Sequence, residues 1–424
     1  MKYLASFKFL CLLAACSLIS AACSDVIESK SFPQEYSLTS EHISLGPSFI
    51  PYSPSAMELK SGFLIFNTFL YVQIYSVPDL SVTCTLGDRD RSDLQTPQIL
   101  RSSSPYLYIM DVNNKNEVRK YSIDSLGQPI LLQTGFAGVN TAMNRPYILH
   151  DSLIVYDEFV PEASLKIYNL HTNTEILTLP YGTTSINDRF FDKNMGGLYA
   201  NDFCMAFAYK YQDRVDFYDW QFNLIRSVNN QKSEPEINIR NDIFAPRPNN
   251  INYYGFSFMG RNYFYTLYRG VTNKVFRSDS LPILGGLDHI YGITRDVLEV
   301  YDMDGQPVCR FRFNDVAPEV FVVDEEQNIL YGYRQAFPAT LLAYHLQGLS
   351  KNGQQYPKST KPVFSSLPFS SRPDTPEEPA YFETASTHRD EAPTYWIHRF
   401  LDRSGYRPAV SAGNFGLTEL SRQE

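Results

Sequence analysis

The chain has 424 residues, enough for two or three domains or one large all-β domain, and its 43% apolar fraction supplies a core, which excludes wholesale disorder and a collagen-like fibre. With Lys+Arg 37 against Asp+Glu 46 the net charge is -9, so the body as a whole repels a nucleic-acid duplex or an anionic bilayer surface unless a local basic patch reverses the field; nucleic acid is not an expected partner. Tyr (30) and Phe (29) far outnumber Trp (2), which favours strands over helices.

Residues 1–23, MKYLASFKFLCLLAACSLISAAC, carry a basic start up to Lys8 and then an almost unbroken run of apolar or small residues from Phe9 to Ala22. Such a run is too short for an ordinary membrane span and suits a secretory signal. It ends in small residues and a cysteine, which resembles the bacterial lipobox, where the thiol of the new N-terminus is lipidated. Two cysteines compete. Cys16, after Leu13-Ala14-Ala15, fits the lipobox consensus better; Cys23, after Ser20-Ala21-Ala22, leaves a full-length apolar run and is followed at once by polar Ser24-Asp25. Length favours Cys23 as the lipidation site, with Cys16 as the alternative and a soluble secreted chain as a further one. Removing Lys2 and Lys8 with the leader takes the charge from -9 to -11.

Residues 24–50 read as a polar lead-in or tether with one strand-like piece, EHISL. From 51 to 349 one phrase recurs: an aromatic-rich strand, a short turn, and a second strand ending in Tyr. The second strands end at Tyr75, Tyr121, Tyr168, Tyr218, Tyr301 and Tyr344. The preceding strands are GFLIFNT, PYLYIMD, SLIVYDE, DFCMAFAY, NYFYTLY and NILYGYR. Four of the five intervals fall between 43 and 50 residues; the fifth, 83, contains an insert from Gly270 to Asp296. A period of 40 to 50 residues made of short strands is that of a β-propeller blade. One four-stranded sheet cannot bury both faces alone, whereas a ring of twisted sheets stacks each face on a neighbour. The expectation is an all-β, six-bladed propeller, with a sandwich pair as the alternative, in which the Tyr packs between blades with its hydroxyl on solvent or a backbone carbonyl.

The last two repeats, YFYTLYRG (263–270), VLEVYDMDGQPVCRFRF (297–313) and VFVVDEEQNILYGYR (320–334), resemble the TolB-like six-bladed propeller lipoproteins of Bacteroidota-type bacteria. Tyr301, Asp302, Asp304 and Gly305 fall on that family's hairpin positions, and Asp324, Glu325, Leu330 and Tyr331 on its closing strand. The resemblance spans about residues 45–348 and departs from the family at the Gly270–Asp296 insert and the C-terminal extension. It implies a cell-envelope location and assigns no catalytic residue.

From 350 to 424 the composition changes, with six prolines between Pro357 and Pro379. Such a segment forms neither ladder nor helix and reads as a mostly irregular extension, or alternatively as a wrap on the propeller rim.

Beyond the leader only Cys84, Cys204 and Cys309 remain, too far apart for a metal site, and the expectation is buried thiols, with one disulfide as the alternative. The seven histidines form no HxH or HExxH, and neither GxSxG nor a phosphate loop occurs. No catalytic residue, metal or cofactor is assigned. Asp302-Met303-Asp304-Gly305 lacks the first and twelfth ligands of a calcium loop and reads as a hairpin turn; Asp88-Arg89-Asp90-Arg91 reads as a solvated loop. The chain therefore reads as a binding or scaffolding module for a peptide, glycan or envelope protein, anchored in the envelope by lipid, most simply at the outer membrane. The insert, with Arg277, Asp279 and Asp288 among Leu281, Ile283 and Leu287, is the candidate contact. The alternative is a carbohydrate-active or other hydrolytic propeller with acids meeting in the central funnel.

Overall fold

The computed structural model describes residues 27–349 except 29, 47–53, 69, 78, 88–93, 113–116, 137–143, 159–163, 181–194, 231–236, 241–242, 247–250 and 273–295. Among the described residues there are strands and turns but no helix. Three strands come first: β1 (Ile27–Glu28), β2 (Glu35–Leu38) and β3 (Glu41–Ser44). Blade 1 is β4 (Ala56–Lys60), β5 (Phe63–Asn67), β6 (Val72–Ser76) and β7 (Val82–Leu86); blade 2 is β8 (Pro97–Leu100), β9 (Leu107–Asp111), β10 (Glu117–Ile123) and β11 (Pro129–Phe136). Blade 3 is β12 (Asn144–Leu149), β13 (Leu153–Glu158), β14 (Ser164–Asn169) and β15 (Thr174–Pro180); blade 4 is β16 (Gly196–Ala200), β17 (Met205–Tyr209), β18 (Arg214–Tyr218) and β19 (Leu224–Asn229). A hairpin, β20 (Ile237–Arg240) and β21 (Ile243–Pro246), precedes blade 5, which is β22 (Ile251–Met259), β23 (Tyr263–Thr272), β24 (Val297–Asp302) and β25 (Pro307–Phe313). Blade 6 has β26 (Val320–Asp324), β27 (Ile329–Tyr333) and β28 (Thr340–His345). Each blade is an antiparallel meander, and the first strands meet round a ring that closes where β26 packs on β4. This is the six-bladed propeller.

The repeated tyrosine has a local cause. In blades 1 to 5 the pairing of third and fourth strands shifts register next to it, at Tyr75, Tyr121, Tyr168, Tyr218 and Tyr301. A bulge strengthens the twist and turns the strand toward its hairpin. The turn that follows is also repeated: Asp124, Asp219 and Asp302 each accept two amides of their own turn through Oδ1. The fourth turn residue is left-handed, Gly127 at φ 77°, Phe222 at 60° and Gly305 at 77°. Asp302 is thus spent on its own turn, as an Asp-Gly hairpin requires. The hydroxyls differ from expectation. Tyr344 reaches a carbonyl, Val316 O at 2.6 Å, whereas Tyr301 and Tyr218 donate to the acids two residues earlier, Glu299 and Asp216. Residues i and i−2 of a strand share a face, so each Tyr travels with its acceptor.

The segment expected as a lead-in or tether with one strand-like piece contains three strands, that piece among them as β3. β3 is the missing fourth strand of blade 6, pairing Glu41–Ser44 with Ala343–Thr340, so the chain's start closes the ring on its end. β2 and β1 add as parallel fifth strands to blades 5 and 4. Lys30, just after β1, is buried with its Nζ 2.6 Å from Glu299 and 3.0 Å from Asp213, and it lies 3.8 Å from the centre of the Tyr268 ring. Blades 5 and 6 are further joined by Glu325, which accepts the amides of Arg261, Asn262 and Tyr263 at 2.9–3.1 Å.

Cys204 and Cys309 are buried free thiols, as expected, while Cys84 is half-buried and also free. Burial pushes the Cys204 and Cys309 thiols up to about 12. Since the thiolate is the reactive form, a thiol reagent added to the native protein at pH 8 is expected to modify Cys84 alone of these three, and all three after unfolding. Mass mapping of the modified peptides checks this; native labelling of Cys204 would show that the blade 4–5 interface opens.

Candidate functional site

Strand direction sorts the connections into two faces. The turns joining first to second and third to fourth strands lie on one face and are short, such as 61–62, 150–152, 219–223 and 303–306. The opposite face carries the connections between blades and those joining second to third strands. The strand ends at Leu86 and Pro97, Phe136 and Asn144, Pro180 and Gly196, Asn229 and Ile251, and Thr272 and Val297 open on this face. The described flanks of the expected insert open on the long-connection face, and its first residues are strand, because β23 runs on to Thr272 opposite Ile251. Its closing residue, Asp296, sits 3.4 Å from Arg269 Nε. Arg277, Asp279 and Asp288 lie outside the described residues, as do Cys16, Cys23, Asp88–Arg91 and the 350–424 extension.

At the centre of the ring one side chain from each of several inner strands meets the others. Arg101, directly after β8, lies 3.4 Å from Glu58 of β4, and its guanidinium is 5.1 Å from the Phe256 ring centre and 5.8 Å from that of Tyr199. It thereby spans from blade 2 to blades 1, 4 and 5. Arg145 of β12 stands over the other approach to Tyr199, at 5.2 Å. Lys60 donates to the Ser102 and Ser104 carbonyls and lies 3.7 Å from Glu58. Burial pulls both Arg101 and Lys60 down from their usual ranges, and the shared Glu58 carboxylate opposes it. A guanidinium against aromatic faces is held by the ring quadrupoles as well as by the carboxylate.

This centre is a plug, and its acids are committed. Glu58 is only 5% exposed and is held between two cations. Asp202, at the turn after β16, accepts from the Tyr147 hydroxyl at 3.0 Å and from Ser103. A hydrolytic pair needs two carboxyls flanking open space, one of them able to hold a proton. Both carboxylates here are engaged by neighbouring donors. Among the described residues no group of His, Cys, Asp and Glu is arranged to hold a metal ion. A shallow cleft of about 440 Å³ lies on the short-turn face between Phe63, Val77 and Ile123 and gathers no charged group except Asp124, which its own turn employs. The central cluster escapes sequence reasoning because the contributions of its different blades, Glu58, Arg101, Arg145, Tyr199 and Phe256, are about 40 or more residues apart and only ring closure brings them together. The one available signal is that each stands on, or just after, the strand that precedes a repeated aromatic one.

No family model and no curated protein matches the chain. Among solved structures it is similar to a member of the DUF4221 family from Bacteroides vulgatus ATCC 8482, at 14% identity and a TM-score of 0.48 over 73% of this chain and 97% of that one. It is also similar to a protein of Bacteroides fragilis NCTC 9343 that goes under the name of an exported protein, at 7% identity and a TM-score of 0.46, over 74% and 99%.

Proposed function

We propose that the protein is a lipid-anchored, non-catalytic binding propeller of the bacterial cell envelope, of the TolB-like kind, which engages a peptide, glycan or envelope protein through its long-connection face. The observation that carries this reading is the contrast between the two faces. Arg101 spans the centre of the ring and the described turns of one face are short, whereas the strand ends that bound the long stretches of chain open on the other, the pattern of a rigid frame presenting loops. The anchor is Cys23, with the outer membrane as its seat.

The test replaces residues 274–294 by a short Gly-Ser linker in the full chain and compares envelope pull-downs. The expected variant keeps a cooperative thermal transition within a few degrees of the parent and loses the partners that the parent retains. Unchanged partners with an intact fold would place recognition elsewhere on the rim, and unfolding would make the insert part of the blade. Hydrolysis of chromogenic glycosides that disappears in Glu58→Gln would restore the hydrolytic reading.

A further inference from the structure

We infer that the short-turn ends of the outer strands of blades 2, 3 and 4 form a rim that rests on the bilayer, held there by the lipid on Cys23. The inference rests on the lipid-anchor reading and adds to it which surface of the propeller meets the membrane.

The first support is the length of chain outside the structure. Ile27 is four residues after Cys23, and four residues reach at most about 14 Å. Ile27 is itself paired with Ser227 of β19, and three residues on, Lys30 is buried between Glu299 and Asp213. A lipid at Cys23 therefore holds the edge of blade 4 at the bilayer surface. A lipid at Cys16 would allow about 40 Å of slack.

The second support is direction. β1 runs parallel to β19, so the chain enters it from the Leu224 end, which is the short-turn end of that strand.

The third support is independent of the anchor. The exposed large apolar side chains among the described residues are Leu126, Ile130, Leu131, Leu132, Ile176, Leu224 and Ile225, at 37–74% exposure. All lie on β11, β15 and β19 or in the turn leading into β11, within the first half of each strand, and so at the short-turn end of three neighbouring blades. Scattered exposed apolar residues are ordinary, but confinement to one end of three adjacent outer strands is not scatter. The outer strands of blades 5 and 6 are covered by β2 or completed by β3. The three turns at this rim carry Asp124, His171 and Asp219 and no Lys or Arg, and the chain is acidic overall. Contact would thus come from apolar side chains entering the headgroup boundary beside the acyl chains, without attraction to anionic lipid. The long-connection face would then point away from the bilayer.

The test uses the full-length acylated protein in a Cys84→Ser background, reconstituted in phosphatidylethanolamine–phosphatidylcholine vesicles. Single cysteines at Leu126, Ile176 or Ile225, and at Ala336 on the opposite face as control, carry an environment-sensitive fluorophore read against a quencher on the lipid. The expected result is rim quenching at least about three times that at Ala336, unchanged when anionic lipid is added. Equal quenching at all four sites, with mass spectrometry showing acylated Cys23 as the mature N-terminus, would overturn the inference and leave the anchor reading standing. An acylated Cys16 or an unmodified N-terminus would overturn the anchor reading itself and the inference with it. Rim protection that persists in the unacylated Cys23→Ser chain without vesicles, together with a dimer mass, would assign the rim to a second copy and also overturn the inference.

Discussion

A chain that starts at Gly46, and so lacks β1, β2 and β3, is expected to lose cooperative unfolding and to aggregate, whereas one that starts at Ile27 folds as the full chain does. The short form removes the fourth strand of blade 6, whose ladder ends with the Leu45 amide on the Ala339 carbonyl at 2.9 Å. It also removes Leu38 and Leu45, 3% and 1% exposed, from the largest apolar cluster. Each buried leucine contributes about 1.5–3 kcal/mol, and the bare edges of β28, β25 and β19 become templates for intermolecular pairing. Against a total stability of about 5–15 kcal/mol these losses suffice to open the ring. Circular-dichroism melts and size exclusion of the two truncations check it, and a Gly46 form melting within a few degrees of the full chain would show that blade 6 stands without its closing strand.

The second large effect is expected at one buried carboxylate. Glu299 is 0% exposed; it lies 2.6 Å from Lys30 Nζ and 2.6 Å from an Arg310 terminal nitrogen, and accepts the Tyr301 hydroxyl at 2.8 Å. Glu299→Ala leaves Lys30 and Arg310 facing each other across a cavity, and removing one partner of a buried ion pair costs about 3–5 kcal/mol. Lys30→Met is milder, because Arg310 still pairs with Glu299 and the methionine fills the apolar part of the same space. Urea midpoints at equal slope give the comparison, with Glu299→Ala well below Lys30→Met. The reverse order would mean that Asp213 alone compensates the charge of Lys30 without Glu299.

The blade count and the strand carrying each repeated tyrosine were legible in the sequence because their causes are local. The bulge at Tyr75 or Tyr301, the Asp-capped turn after Tyr121, Tyr218 and Tyr301, and the aromatic strand before them are all contained within a few dozen residues, so each repeat announces itself. The four-residue segment Glu41–Ser44 reads as strand-like in the sequence, but nothing in it marks its partner. It closes the ring on Thr340–Ala343, some three hundred residues away, through backbone hydrogen bonds that any side chains could accompany. The same holds for β1 and β2, read in the sequence as a polar lead-in, and for Lys30, whose burial depends on Asp213 and Glu299 arriving from two different blades. The centre follows the same logic: Glu58, Arg101, Arg145 and Tyr199 are unremarkable in their own strands and become a plug only when six inner strands are brought round one axis. Local propensity and turn chemistry therefore specified the blades, while closure, the strap over blades 4 and 5 and the filling of the centre were decided by the tertiary structure, because pairing and ion-pair partners are chosen by proximity in space and leave no period along the chain.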